Sequence, residues 1–261
     1  SDLNLPFIRL MRDLVRYVTY TSANNSAQLL KDDSEPRRQE YLAQFADREG
    51  TAFLLKFWKK YQKKDTQARL ETFLDSLHPT PIRLAAVHRY LLPDASRESF
   101  NSFLRARLAG TKGQQTLNDK RLDTLYDSYG PGAYDLPDQG YIAKVHPLDL
   151  WLMGYLLNHP DATFSEIVKA SQFERQEVYS WLFKSRHQSA RDGRIRTMLE
   201  IEAFLDIHQR WKAVGYPFDH LVPSLATAIG SSGDRPAALA ELMGIILNDG
   251  VRIPVLRIDS L

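Results

Sequence analysis

Apolar residues recur along most of the chain at the three- and four-residue spacing of an amphipathic helix. Near the N-terminus, the apolar positions from Phe7 to Val18 follow this spacing and predict the first helix. A second helix is predicted at residues 53–61, where lysines occupy the side opposite the apolar stripe. Further helices are predicted at about 66–77, 81–91, 95–108, 118–128, 147–158, 163–171, 174–187 and 194–214, and another begins at Pro236. The pattern therefore predicts a mainly α, multi-helical protein.

The segments between the periodic stretches suggest how the chain is divided. Residues 251–258 alternate as a strand does, and Pro254 would confine that short C-terminal strand to a sheet edge. Residues 110–115 and 129–140 lack periodicity and are predicted to be irregular. The sequence thus predicts an N-terminal helical unit over 1–110, a middle helical unit over 111–215 and a C-terminal helix-and-strand piece over 216–261.

The composition is that of an ordinary globular chain, since 43% of the 261 residues are hydrophobic and 25% are charged. With 34 basic and 32 acidic residues, the formal net charge of +2 creates no global field that would select nucleic acid or anionic lipid. The absence of cysteine excludes disulfides, thiolate metal sites and cysteine nucleophiles. No apolar run approaches the ~20 residues of a membrane-spanning helix. The abrupt start and the end after a strand-like run are compatible with a piece cut from a longer chain.

The common motifs of catalysis and metal binding are missing from the sequence. None of the seven histidines pairs at the helical spacing of metal ligands, and no glycine-rich phosphate loop follows a strand. Residues 230–233 are one residue short of a nucleophile elbow. His208 lies on an apolar stripe, which indicates a hydrogen-bonded core histidine. We therefore predict no catalytic residue, no metal ligand and no cofactor.

Residues 164–187 resemble a helix-turn-helix. Gln172 stands where the motif usually has Gly, and Val168 stands where it usually has a small residue. The resemblance implies a DNA-binding module, cytoplasmic in location, whose second helix projects three side chains toward base edges: Arg175, Gln176 and Tyr179. The positive charges expected to contact phosphates come a few residues later in the sequence, at Lys184, Arg186 and Arg191.

Residues 215–254 carry a second and more specific set of landmarks. These are Pro-Ser-Leu-Ala at 223–226, Gly-Ser-Ser at 230–232, Pro236 at a helix start and Asn-Asp-Gly at 248–250. This order resembles a stretch of the transpeptidase domain of penicillin-binding proteins, over about 40 of the 261 residues. Pro236 would open the helix, Asp234 would cap its amides and Gly250 would end it. The apolar stripe expected to be buried by this helix is Leu239, Leu242, Met243 and Ile246.

The transpeptidase active site does not accompany this resemblance, because no serine has a lysine three residues later. Residues 53–58, 83–85 and 146–152 resemble the part that follows the glycosyltransferase module in large bacterial membrane-bound transglycosylases. Together the resemblances imply a non-catalytic accessory or scaffolding domain of a cell-wall (peptidoglycan) synthesis protein, whose parent protein would be a membrane-anchored peptidoglycan glycosyltransferase. They place it at the periplasmic face of the inner membrane, where its partners would be cell-wall synthesis proteins or glycan.

The loop before Pro236 is a candidate anion site. Two hydroxyls and a guanidinium could converge there with the free amides of a helix start: Ser231, Ser232 and Arg235. The alternative is a structural cap, in which Asp234 satisfies the amides and Arg235 pairs with a carboxylate such as Glu241. The sequence favours the cap.

Overall fold

The computed structural model describes residues 5–21, 29–30 and 32–253. In this part of the chain the protein consists of helices and their connections, which confirms the mainly α class. Its α-helices are α1 (Leu5–Thr21), α2 (Arg37–Tyr61), α3 (Thr66–Asp75), α4 (Pro81–Leu91), α5 (Arg97–Leu108), α6 (Asp119–Ser128), α7 (Leu136–Ala143), α8 (Pro147–Asn158), α9 (Phe164–Ala170), α10 (Gln172–Val178), α11 (Gln188–Ala213) and α12 (Pro236–Leu247). Short 3₁₀ helices lie at Lys112–Thr116, Ser180–Phe183, Ser185–His187 and Leu225–Ile229.

The structure differs from the predicted secondary structure in several places. The helix predicted at 53–61 begins at Arg37, and the helix predicted at 174–187 ends at Val178 and is followed by 3₁₀ turns. The C-terminal edge strand is not seen: residues 251–253 lie outside any strand, and the rest of the predicted strand lies outside the described residues. Within the stretch predicted to be irregular, α7 begins at Leu136. Its N-cap is Asp135, whose side chain accepts a hydrogen bond from the amide of Asp138, and Pro137 lies in the first turn, where proline is tolerated. Pro137 therefore opens a helix here instead of breaking one.

The chain divides into two compact units. Unit 1 combines Ser1–Leu42 with His187–Leu261, and unit 2 is the continuous segment Ala43–Arg186. The three consecutive pieces predicted from the sequence follow a different division and stay a prediction.

Unit 2 has a core built around α4 and α8. Thr80 caps α4 through its hydroxyl and Pro81 opens it, so the helix starts directly after an extended segment. Its residues from Leu84 to Val87 are all buried. In α8 every residue from Leu148 to Met153 is buried, so this helix lies inside the core.

Unit 1 has a smaller core between α1 and α11. Met11, Val15 and Val18 form a buried stripe on α1, and the corresponding residues of α11 include Phe204 and Ile207. The 3₁₀ helix Leu225–Ile229 also packs on α1. On the edge of this core, the Nε2 of His208 donates a hydrogen bond to the carbonyl oxygen of Phe218 (3.0 Å), as expected for a hydrogen-bonded histidine.

Candidate functional site

The serines of the predicted anion site lie in the loop before α12. The Ser232 hydroxyl accepts a hydrogen bond from the backbone N–H of Val222 (2.9 Å) and lies 2.8 Å from the hydroxyl of Thr227. The amide of Ser231 donates to the carbonyl of Ala226 at 3.2 Å, and the Ser231 side chain is exposed. Of the two hydroxyls, that of Ser232 is therefore already engaged inside the protein.

Arg235, the cationic member of the predicted site, pairs with carboxylates of its own unit. Its guanidinium donates to Asp219 Oδ2 at 2.9 Å, and its Nε lies 3.5 Å from Asp234 Oδ1. Arg235 thus pairs with a carboxylate, as the cap alternative expects, but not with Glu241, which forms its ion pair with Arg252. The guanidinium thus joins the loop before α12 to the segment around residue 219.

Asp234 joins the same two segments through its carboxylate. Its oxygens accept hydrogen bonds from the backbone N–H groups of Asp219 and Arg235, each at 2.7 Å. These amides, with that of His220, hold the pKa of Asp234 below its usual range. The prediction that Asp234 caps the amides of α12 is wrong, because no side chain caps the first turn of this helix and the amides that Asp234 accepts lie outside that turn. We name these contacts the 219–235 closure; anion binding by Ser231, Ser232 and Arg235 stays a prediction.

The helix-turn-helix resemblance falls on α9 and α10, which meet at Ser171. Arg175 of α10 is only 4% exposed. Its Nε donates to Asp47 Oδ1 at 2.9 Å, and its guanidinium also contacts the Ser171 hydroxyl. Its stem lies over Gly50, where an added Cβ would be 2.7 Å from Arg175 Cγ. The expected projection of Arg175 toward a DNA groove is therefore not found.

The other predicted base-reading residues also contact α2. The Gln176 side-chain amide donates to the carbonyl of Ala43 at 2.9 Å. The Tyr179 ring meets Phe45 edge-on, with centroids 5.9 Å apart. Two residues predicted to contact phosphates are exposed after α10: Lys184, between two 3₁₀ turns, and Arg186, in the second of them. DNA binding by this corner stays a prediction, now without exposed base-reading side chains.

A buried polar cluster in unit 2 has no counterpart in the sequence predictions. The Tyr61 hydroxyl donates to Asp149 Oδ1 at 2.8 Å, and the Lys60 ammonium lies 3.8 Å from the other carboxylate oxygen. Burial raises the pKa of Asp149, although Tyr61 and Lys60 both act in the opposite direction. Because Tyr61 and Asp149 are enclosed by the core, we assign them to holding α2 against α8 and not to chemistry.

Among the described residues, no group of three or more His, Asp or Glu side chains is arranged to hold a metal ion. None of the helices in the described ranges is both long and apolar enough to cross a membrane.

The outward side of α12 is the candidate functional surface, because it exposes apolar side chains that were predicted to be buried. The inward side of the helix is formed by positions such as Ala238, Leu242 and Ile245, which are buried or half-buried. The predicted stripe was expected to be buried, but three of its members are exposed. We call the following four side chains the outer face of α12: Leu239 (45% exposed), Met243 (53%), Ile246 (60%) and Leu247 (80%).

The outer face of α12 continues into the residues that follow the helix. α12 ends at Leu247, and both Asp249 (φ +52°) and Gly250 (φ +85°) after it lie in the left-handed region, so Gly250 has the predicted positive φ but Asp249 is the first left-handed residue. Val251 and Ile253 beyond it are again mostly exposed. Three of the four apolar positions predicted to be buried are thus found on the solvent side, because an apolar pattern does not show which side of a helix meets the core.

Comparison with known proteins finds no matching family model, and no significant match among curated proteins or solved structures. The resemblance of residues 215–254 to penicillin-binding proteins therefore stays a prediction.

Proposed function

We propose that the chain is a non-catalytic scaffolding module of bacterial cell-wall synthesis, and that it binds a protein partner through the outer face of α12. The observation that supports this proposal is the exposure of Leu239, Met243, Ile246 and Leu247 on one side of a helix. The cell-wall context comes from the resemblance of residues 215–254, which includes the whole of α12.

The composition of α12 explains why it needs a partner. Ten of the twelve residues of α12 are apolar or glycine, with Pro236 and Glu241 as the exceptions. A helix that is apolar on all sides is normally buried, and a contiguous exposed apolar surface marks an interaction site. At about 1.5 Å per residue its twelve residues span about 18 Å, too short for the ~30 Å core of a bilayer. A protein surface is therefore the fitting occupant.

The cell-wall assignment brings further proposals with it. The module would lie at the periplasmic face of the inner membrane and belong to a membrane-anchored parent protein. Its partner would be another cell-wall synthesis protein, with glycan contact as the second possibility in the same compartment. The DNA-binding alternative has less support, because Arg175 and Gln176 bond to residues of α2.

The first experiment tests the absence of catalysis. Incubation of the chain with a fluorescent penicillin should leave no covalent label, because no serine has the lysine that activates the nucleophile. An active penicillin-binding protein in a parallel reaction is the positive control. Stoichiometric label that survives boiling would show an active transpeptidase and refute the proposal.

The second experiment tests the partner. A photo-crosslinking amino acid at position 243, in chain exported to the periplasm of a bacterial host, should yield crosslinks to cell-wall synthesis proteins. The control carries the crosslinker at Leu205, an exposed apolar position of α11. Crosslinks from position 243 that match those from position 205, or that contain no cell-wall protein, would contradict the proposal. The substitution Ile246→Glu should abolish the specific crosslinks, because it places a charge in the interface.

A further inference from the structure

Unit 1 contains a cavity that none of the sequence motifs identifies. It has a volume of about 620 Å³ and lies between α1, α11 and the 3₁₀ helix Leu225–Ile229. Sites for small molecules commonly measure about 300–1,000 Å³. Its apolar side includes Val15 and Leu199, which are both buried, together with Leu30. The cavity is thus large enough for a small molecule with an apolar part.

The charges around this cavity are predominantly positive. Arg12 and Arg16 line it from successive turns of α1, and Arg196 lines it from α11. Glu200, one turn after Arg196, is the carboxylate among the lining residues. Three guanidinium groups against one carboxylate favour an anionic ligand.

The guanidinium groups are also largely available. Within the described part of the chain, no carboxylate lies within 4.0 Å of the guanidinium of Arg12 or Arg196. Arg16 has an ion pair at 4.0 Å with Asp13, and both side chains of that pair are mostly exposed. Exposed pairs of this kind contribute little, so Arg16 can turn to a ligand at small cost.

We infer that this cavity binds the phosphate group of an amphipathic ligand. Arg12 and Arg196 contact the phosphate oxygens, since the planar guanidinium donates two parallel hydrogen bonds to such a group. The apolar chain of the ligand lies against Val15 and Leu199, where it leaves water. Glu200 opposes the phosphate charge and thereby limits the affinity.

Calorimetric titration of the whole chain can separate the two parts of the ligand. Dihexanoyl phosphatidic acid, used below its micelle concentration, should bind saturably at low salt, and more weakly as salt is added. Glycerol 3-phosphate has the phosphate without the apolar chains, and dihexanoyl phosphatidylcholine has the chains without the net negative charge. Both should bind at least tenfold more weakly. If glycerol 3-phosphate bound as tightly as dihexanoyl phosphatidic acid, the cavity would be a site for free phosphate. If dihexanoyl phosphatidylcholine bound as tightly, the cavity would be a purely apolar site. Either result would overturn the inference.

Charge-matched variants test the residues. Arg196→Gln and Arg12→Gln should each weaken binding of dihexanoyl phosphatidic acid by about tenfold or more, with unchanged melting temperature. Arg9→Gln removes the same charge from α1 outside the cavity lining, and it should leave the affinity unchanged. Glu200→Gln should tighten binding, a gain that misfolding cannot produce. The site would be refuted if the native chain showed no saturable binding. It would also be refuted if Arg9→Gln weakened binding as strongly as Arg196→Gln does.

Discussion

His146 is a residue whose structural role depends on its charge. Its Nδ1 accepts the amide of Leu148 at 3.2 Å and so caps α8, which requires a neutral ring. The ring lies 4.2 Å from that of Phe53, and burial, aided by Lys56, lowers its pKa to about 4. Below the ordinary histidine pKa of about 6.5, His146 is protonated in the unfolded chain but stays neutral in the folded chain. The stability provided by neutral His146 is therefore present above that pH and lost as the pH falls toward 4.

This gives the first prediction. Urea unfolding at pH 7, 6 and 5 should show decreasing stability, and His146→Asn should make the decrease shallower, because asparagine caps a helix without titrating. Part of the slope should remain, since burial between aromatic rings also lowers the pKa of His88 to about 4. His78→Asn, at an exposed histidine, is the control. An identical slope in His146→Asn and the native chain would contradict the role of His146.

The 219–235 closure gives a second prediction. Arg235→Ala removes an exposed ion pair and should change the free energy of unfolding by about 0–1 kcal/mol. Asp234→Ala removes the acceptor of the Asp219 and Arg235 amides, so it should lower the melting temperature clearly more than Arg235→Ala does. Phosphate should not shift the amide signals of Ser231 and Ser232 in a titration. A phosphate-dependent shift that Arg235→Ala abolishes would instead establish the anion site.

Single residues also show why the sequence predicts some features and misses others. Pro236 opens α12 as predicted and Gly250 has the predicted positive φ shortly after its end, because both residues act through the local backbone. Arg175 is buried inside unit 2, where it bonds to Asp47, a residue 128 positions earlier in the chain. A local pattern contains no information about such a partner. The members of the arginine-lined cavity were missed for the same reason, since they come from both ends of the chain.

At the scale of helices, α7 and α11 offer a matched pair of glycines. A Cβ at Gly140 of α7 would lie 2.9 Å from Pro147 Cα, whereas a Cβ at Gly193 of α11 would meet nothing within 4 Å. Gly140→Ala should therefore destabilise the protein by about 1–3 kcal/mol. Gly193→Ala should stabilise it by about 0.4–1 kcal/mol, because alanine restricts the unfolded chain. Thermal unfolding of the two variants measures both effects, and equal effects would contradict the close approach of α7 and α8.

Gly140 also explains why α7 was absent from the predicted helices. Glycine and proline within residues 129–140 indicate a loop by their intrinsic preferences. In the folded protein, Gly140 provides space for Pro147, and Pro137 occupies a first turn. Packing therefore outweighs propensity in this helix, and packing is what a local pattern does not contain.

At the scale of helix faces, α12 and α11 respond differently to the same substitution. Ile246→Ala on the outer face of α12 should change stability by no more than about 0.5 kcal/mol, because this side chain is mostly exposed. Ile207→Ala in the core of unit 1 should cost about 2–4 kcal/mol. Urea unfolding compares the two. A large loss for Ile246→Ala would mean that the outer face is buried in solution.

At the scale of the whole molecule, the two compact units predict which fragment folds alone. Residues 43–186 are continuous and hold both α4 and α8, whose side chains share one core. This fragment should give a helical circular dichroism spectrum and a cooperative thermal transition. Residues 1–110, the N-terminal unit predicted from the sequence, lack α8 and should not. Cooperative unfolding of 1–110 and none for 43–186 would favour the sequence division.

Unit 1 is discontinuous, and this affects how the protein can form on a ribosome. Because Met11 and Phe204 lie roughly 190 residues apart, synthesis at about 5–20 residues per second separates their appearance by about 10–40 s. During that interval α1 has been made but α11 has not, so the stripe of α1 lacks its partner. Unit 2 can be completed meanwhile, whereas unit 1 closes last. A nascent chain whose synthesis stops before α11 would thus expose α1 to chaperones and proteases, even with unit 2 already folded.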